Sequence, residues 1–324
     1  MPPIAAKKTA VVPARTQGMA MASWQAHALS FFLRLRFKRQ LAAAQDVAQV
    51  RRVMNQMPAG QPRGVQCSPW VGGGAQGERV LQANNPVQAP MLYLHGGGFV
   101  AGSPLTHRAI TVAFARRGFE VFVPDYRLAP EHPFPAALDD ALAAYQDVLA
   151  MRPGQTPVVA GDSAGGGLAL SLMLNLKAMG LPLPQGAVLF SPWLDLTLSG
   201  ASLAGNAHRC AMFGPDPLQK GVGLYLQGRS ANAPLASPLW GDLQGLPPIL
   251  TFVGLDEVLR DDARRLHERA LGAGVAHHLQ EWPVVPHVWP LFRKWLPEGR
   301  WALATAADFL HTPAHPVVPL QEIA

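Results

Sequence analysis

The stretch "VVAGDSAGGG", residues 158–167, decides how the rest of the chain is read. A short apolar run enters Gly161, Asp162, Ser163, Ala164 and Gly165, and a helical pattern follows at once, as far as Gly180. This is a G-x-S-x-G turn between a strand and a helix. Such a turn lifts the serine hydroxyl clear of a sheet. Glycines on either side let strand and helix come close, and the helix N-terminus favours negative charge beside the serine. A phosphate loop would need a Gly-Lys-Ser/Thr ending, or G-x-G-x-x-G before an acidic ribose binder. Neither is present.

A serine hydroxyl needs a base to become a nucleophile, and the base needs a carboxylate to orient it. For a serine on this turn the expected chain order is Ser, acid, His. In "ILTFVGLDEVLRDD", Asp256 stands two residues past a strand and is the first choice, with Glu257 and Asp261 as alternatives. In "EWPVVPHVWPLF", His287 stands in a loop between the last strand and the last helix. His277 and His278 lie within a strand pattern, His267 on a helix, and His311 and His315 near the end, so they fit the base worse.

Acyl transfer also needs N–H donors for an oxyanion. "MLYLHGGGFVAGS", residues 91–103, supplies a strand running into three glycines. Gly97 and Gly98, with the residue after the serine, Ala164, are the expected donors. His95 is read as a hydrogen-bonding residue that shapes this loop, not as a base.

Outward from these motifs, strands alternate with helices. A hairpin is expected across "GVQCSPWVGGGAQGERVLQA", then strands at 89–95, 119–126, 156–162, 186–192, 247–254 and 276–283. Helices are expected at 107–118, 133–150, 163–180, 261–272 and about 290–310. This rhythm argues for a mostly parallel sheet covered on both faces. It is interrupted over 195–240 by short helical pieces, and preceded at 23–57 by one or two amphipathic helices ended by Pro58 and Gly60. The latter suit packing on the chain's own domain better than a membrane surface.

The 324 residues carry a net charge of +6, but only 15% are charged and no dense basic stripe occurs, which argues against nucleic acid as a partner. Two cysteines, Cys67 and Cys210, are too few for a disulfide framework or a Cys-based metal site, and free thiols suit a cytoplasmic protein. The N-terminal stretch lacks the apolar run of a signal peptide, and no run is long enough to span a bilayer.

Four stretches, "HGGGFVAGS", "DYRLAPEHPFPAALDD", "GDSAGGGLAL" and "SPWLDLT", together resemble the hormone-sensitive-lipase-like esterases, bacterial family IV of the α/β-hydrolase superfamily. The resemblance covers about residues 65–310. It implies an α/β-hydrolase fold with an eight-stranded, mostly parallel sheet flanked by helices and topped by a helical cap. The implied division is a flexible tail at 1–20, N-terminal cap helices at 21–60, the catalytic domain at 61–194 and 241–324, and a cap insertion at 195–240. The implied catalytic residues are Ser163, Asp256 and His287, with Gly97, Gly98 and Ala164 as the oxyanion hole. There are two departures. The family's Asp-Pro-Leu reads Asp256-Glu257-Val258 here, and a common Phe two residues after the base is Trp289.

The expected activity is a serine carboxylesterase acting on short- to medium-chain esters, with no cofactor and no metal. A lactone or amide hydrolase with the same triad is the alternative, and a non-catalytic ligand receptor on the same fold is a more distant one. Phe99, Trp193, Phe213, Tyr225 and Trp289 are expected pocket walls, and Arg127 and Glu131 an expected buried ion pair. The expected partner is a small-molecule ester, with no nucleic acid and no stable membrane insertion. A homodimer is left open.

Overall fold

The computed structural model describes residues 22–56, 62–85 and 88–312. The tail read at 1–20 lies outside the described residues, as do Pro58 and Gly60. Eight strands form one sheet: β1 (Val65–Val71), β2 (Gln76–Gln82), β3 (Ala89–Leu94), β4 (Phe119–Pro124), β5 (Val158–Asp162), β6 (Ala187–Phe190), β7 (Ile249–Gly254) and β8 (His277–Trp282). Their order is β1-β2-β4-β3-β5-β6-β7-β8. β2 runs antiparallel to β1 and β4, and all other pairs are parallel. The chain thus has the α/β-hydrolase architecture expected.

Burial explains the strand sequences. β4, β5, β6 and β7 are buried at every residue, as apolar strands covered on both faces must be. The edge strand β1 mixes buried Val65 and Trp70 with exposed Gln66, Pro69 and Val71. Helices α4 (Arg108–Ala115), α5 (Ala136–Met151), α6 (Ala164–Ala178), α9 (Arg260–Gly272) and α10 (Pro297–His311) cover the sheet. α6 is buried along most of its length, so it lacks the polar face of a surface helix.

Two regions differ from the sequence reading. The segment at 23–57 forms three helices, numbered here among ten in chain order: α1 (Trp24–Leu35), α2 (Phe37–Ala43) and α3 (Val47–Met54). The helix breaks at Arg36, where φ is −114° and ψ −66°, and again at extended Ala44. Asp46 then caps α3 by accepting from Gln49 N–H at 2.7 Å. The expected last helix is two pieces, a 3-10 turn at Trp289–Phe292 and then α10, each with a proline in its first turn. The insertion holds α7 (Ser202–Gly205) and α8 (Pro215–Leu226). α2 packs against α8, above the C-terminal ends of the strands.

The tightest point of the fold is where α6 leaves β5. A Cβ on Gly165 would stand 2.1 Å from Leu94 O and 2.4 Å from His95 O, both backbone atoms of the neighbouring strand end. Real contacts of that kind do not occur, so α6 can sit this close only with glycine there. Gly165→Val should therefore cost about 3 kcal/mol or more, or abolish folding, as read by the midpoint of thermal or urea unfolding. A variant with wild-type stability would show that α6 can retreat.

Candidate active site

Ser163 has φ 51° and ψ −122°, a conformation that a non-glycine residue holds only under constraint. Its surroundings impose it. Ser163 N–H donates to Phe190 O at 2.9 Å, and Ser163 O accepts from Trp193 N–H at 2.9 Å and Gly167 N–H at 3.1 Å. The backbone is thus fastened to β6 and α6, and Ser163 lines a large cavity.

His287 lines the same cavity and is 4% exposed. Its Nδ1 lies 2.6 Å from Glu257 Oε2. A carboxylate oxygen only accepts, so Nδ1 carries the proton and Nε2 is left with a free lone pair. Nε2 is buried and has no partner within the protein. This is the tautomer a base toward Ser163 requires.

The carboxylate beside His287 is therefore that of Glu257, and the expectation for Asp256 is corrected. Asp256 points outward, with Arg209 3.8 Å away, and its side chain is 23% exposed. Glu257 is 1% exposed and fully engaged: Oε1 accepts from Gly254 N–H at 2.6 Å and Ser191 Oγ–H at 2.7 Å. The turn after β7 carries Asp256 away from the sheet, and the longer glutamate arm reaches back across it. The departure from Asp-Pro-Leu at these positions was the signal for this.

Ser191 is a residue that sequence reasoning missed. It is fully buried, with φ 48°, and its Oγ donates to Glu257 while accepting from Val288 N–H at 3.1 Å. One hydroxyl thus holds both the carboxylate and the residue after His287.

Gly97 and Gly98 line the cavity, at φ 129° and 63°. Among the described residues, no protein acceptor takes the N–H of Gly97, Gly98 or Ala164. A Cβ on Gly97 would lie 1.9 Å from Ala101 O, so side-chain-free backbone is obligatory there. The loop is tied down by Asp162, whose Oδ1 accepts from Gly96 N–H at 3.1 Å and Tyr93 O–H at 2.6 Å, while Oδ2 lies 3.3 Å from His107 Nε2. Burial opposes the Asp162 charge, but His107 and Tyr93 outweigh it and hold the carboxyl below its usual range. His95 donates from Nδ1 to Gly96 O at 2.8 Å and stacks on Tyr126 with ring centroids 4.2 Å apart. Burial first, and then nearby His107, push its pKa down to about 3.

The cavity measures about 860 Å³. Its walls come from α1–α3 (Leu33, Phe37, Leu41, Val53), from α8 and the loop before it (Met212, Phe213, Leu218, Leu224), and from Val288, Leu291 and Phe292. Of the five aromatic residues expected there, Trp193 and Phe213 are on the wall, and Phe213 meets the His287 ring edge-on at 4.7 Å. The other three belong to the core. Phe99 and Tyr225 stack on each other at 3.8 Å, and fully buried Trp289 packs against Phe252 and Trp282. Arg127 and Glu131 do not pair. Arg127 binds Asp140 at 2.7 Å and Glu131 binds Arg51 at 2.6 Å, both near the surface where water competes for the charges.

Comparison with known proteins identifies the fold and the family. A family model described as the alpha/beta hydrolase fold matches residues 91–291. An acetyl-hydrolase of Streptomyces hygroscopicus is 46% identical over 225 residues, 68% of this chain and 75% of the relative. An esterase of Acinetobacter venetianus is 38% identical over 265 residues, 81% of this chain and 85% of the relative. The crystal structure of an esterase from the bacterial hormone-sensitive lipase family superimposes with a TM-score of 0.82 at 39% identity, covering 90% of this chain and 98% of that one. The chain is a hormone-sensitive-lipase-like esterase of the α/β-hydrolase superfamily. A further member of such structures, EstE5, superimposes with a TM-score of 0.85 at 36% identity over 90% of this chain and 98% of its own.

Three outcomes follow for this esterase. Glu257→Gln should lower kcat by about 10²- to 10⁴-fold, because the amide oxygen would take the Ser191 and Gly254 donors, turn its NH2 to Nδ1 and favour the wrong tautomer, whereas Asp256→Asn should change it little. Steady-state kinetics on the two variants separate the assignments, and the reverse pattern would restore Asp256. Ser191→Ala should lower kcat about tenfold or more with little change in KM, and shift the pH–rate profile, since it frees the carboxylate from one of its donors. Finally, His95 and buried His277 both have pKa values lowered from 6.5 to about 3, largely by burial. Their folded values lie below the unfolded one, so the stability they contribute is present above about pH 6.5 and is lost as pH falls toward 3. Melting temperature measured against pH should decline over that window.

Proposed function

We propose that this chain is a serine carboxylesterase working through an acyl-enzyme. Ser163 Oγ attacks the ester carbonyl as His287 Nε2 takes its proton, and Glu257 holds the resulting imidazolium. The oxyanion is received by the N–H groups of Gly97, Gly98 and Ala164. His287 then protonates the departing alcohol, and a water molecule, activated by the same nitrogen, releases the acid. The observation that carries this reading is His287, with Nδ1 bonded to a buried carboxylate and Nε2 unpaired in the cavity that Ser163 lines.

The mostly apolar cavity and the acetyl-hydrolase and esterase relatives support short- to medium-chain acyl groups as substrates. α1–α3 and residues 195–240 act as the cap over the site. Among the described residues, no helix is long and apolar enough to cross a membrane. Both cysteines are free, which supports a cytoplasmic setting.

Ser163→Ala should lower hydrolysis of p-nitrophenyl butyrate by about 10⁶-fold and abolish labelling by a fluorophosphonate probe, with the melting temperature little changed. Activity in the wild type should fall from the acetyl and butyryl esters to the palmitoyl ester. Retained turnover in the Ser163→Ala variant would overturn the nucleophile, and preference for the palmitoyl ester would overturn the substrate class.

A further inference from the structure

α1 presents apolar side chains on two sides. Ala26 and Ser30 are buried against the body and Leu33 reaches the cavity. On the other side Trp24, Phe31, Phe32 and Leu35 are 74%, 55%, 65% and 42% exposed. Offsets of seven, eight and eleven residues from Trp24 put these four on one stripe of the helix. A contiguous exposed patch of that size marks an interaction surface.

Charge identifies the partner. Exposed Arg36 and Arg39 follow the stripe directly. Arg34 ties it to the neighbouring loop by donating to Arg209 O at 2.7 Å, and the Arg209 side chain, 3.8 Å from Asp256, is itself 64% exposed. No Asp or Glu occurs between residues 1 and 45. The first 21 residues of the sequence hold three cations and no acid, so they supply no charge complementary to this face. A second copy docked by two-fold symmetry would bring two such cationic patches into one interface, with no acid on α1 to pair them. An anionic lipid surface accepts both halves of the pattern, the aromatic and aliphatic groups at the acyl boundary and the guanidinium groups at the phosphates. α1 has 12 residues, about 18 Å, and so would lie in the plane of such a surface rather than cross it.

We propose that α1 is an interfacial anchor, binding the protein reversibly to anionic lipid through Trp24, Phe31, Phe32 and Leu35 flanked by Arg36 and Arg39. α1 and α2 also wall the cavity, through Leu33, Phe37 and Leu41, so docking by the outer stripe would leave the cavity on the inner side of the docked helix.

The test uses the full chain without substrate, so its outcome is independent of the catalytic reading. Flotation with vesicles of phosphatidylcholine, with and without phosphatidylglycerol, should show binding only to the anionic vesicles and release at high salt. The double variants Phe31→Ser/Phe32→Ser and Arg36→Glu/Arg39→Glu should each weaken binding at least about tenfold. Circular dichroism melting should show both still folded. Absence of binding to anionic vesicles at low salt, equal binding to both vesicle types, or binding undiminished in both variants would overturn the proposal. So would a dimer of the wild type that Phe31→Ser/Phe32→Ser dissociates.

Discussion

Between α6 and the end of β3 there is no room for one carbon atom, and the active site depends on that closeness. The contact at Gly165 presses the nucleophile's helix against Leu94 O and His95 O, the last backbone before the glycine loop. The serine turn and the glycine loop are therefore held together, although they lie far apart in the chain. Asp162 adds a second tie, from the residue before the nucleophile to the N–H of Gly96. Catalysis of this kind gains most from donors fixed in advance, since nothing then has to reorganise as charge develops. Packing at Gly165 and a buried carboxylate at Asp162 provide that fixity.

The opposite side of the site is organised by hydrogen bonds instead of close packing. Ser191 at the end of β6, Glu257 in the turn after β7 and His287 after β8 come from three consecutive strand ends, joined by bonds of 2.6 to 2.7 Å. Parallel strands place their C-terminal ends in a row, so residues distant in sequence meet at one edge of the sheet. The second bond of Ser191, from Val288 N–H, closes the row on the base. The carboxylate accepts from Ser191, Gly254 and His287, which holds the imidazole in one orientation.

The architecture was legible because its signals are local. Apolar strands, glycine-ended helices and two glycine motifs each act over a few residues, and alternation then implied the parallel sheet. Ser163 and His287, expected from a turn and a loop in chain order, both line the cavity. The acid was not legible. Asp256 and Glu257 are adjacent, and which of them faces the sheet is set by the path of one turn and one methylene of reach. Ser191 carried no local signal, because its partners lie 66 and 97 residues away. Phe99, Tyr225 and Trp289 were misplaced because an aromatic side chain looks the same in sequence whether it lines a cavity or fills a core. Arg127 and Glu131 found other partners for the same reason, since charge alone does not say which of several opposite charges is near.

Phe213 has a consequence beyond shaping the cavity. It belongs to the segment leading into α8, yet its ring closes one side of the His287 imidazole. That face of the imidazole is therefore covered by a segment that Asn206 ties to the turn after β7, donating to Leu255 O at 3.0 Å and to Glu257 O at 2.8 Å. The wall of the cavity and the turn that carries the carboxylate are thus one unit, and exchanging this segment between relatives would disturb both at once.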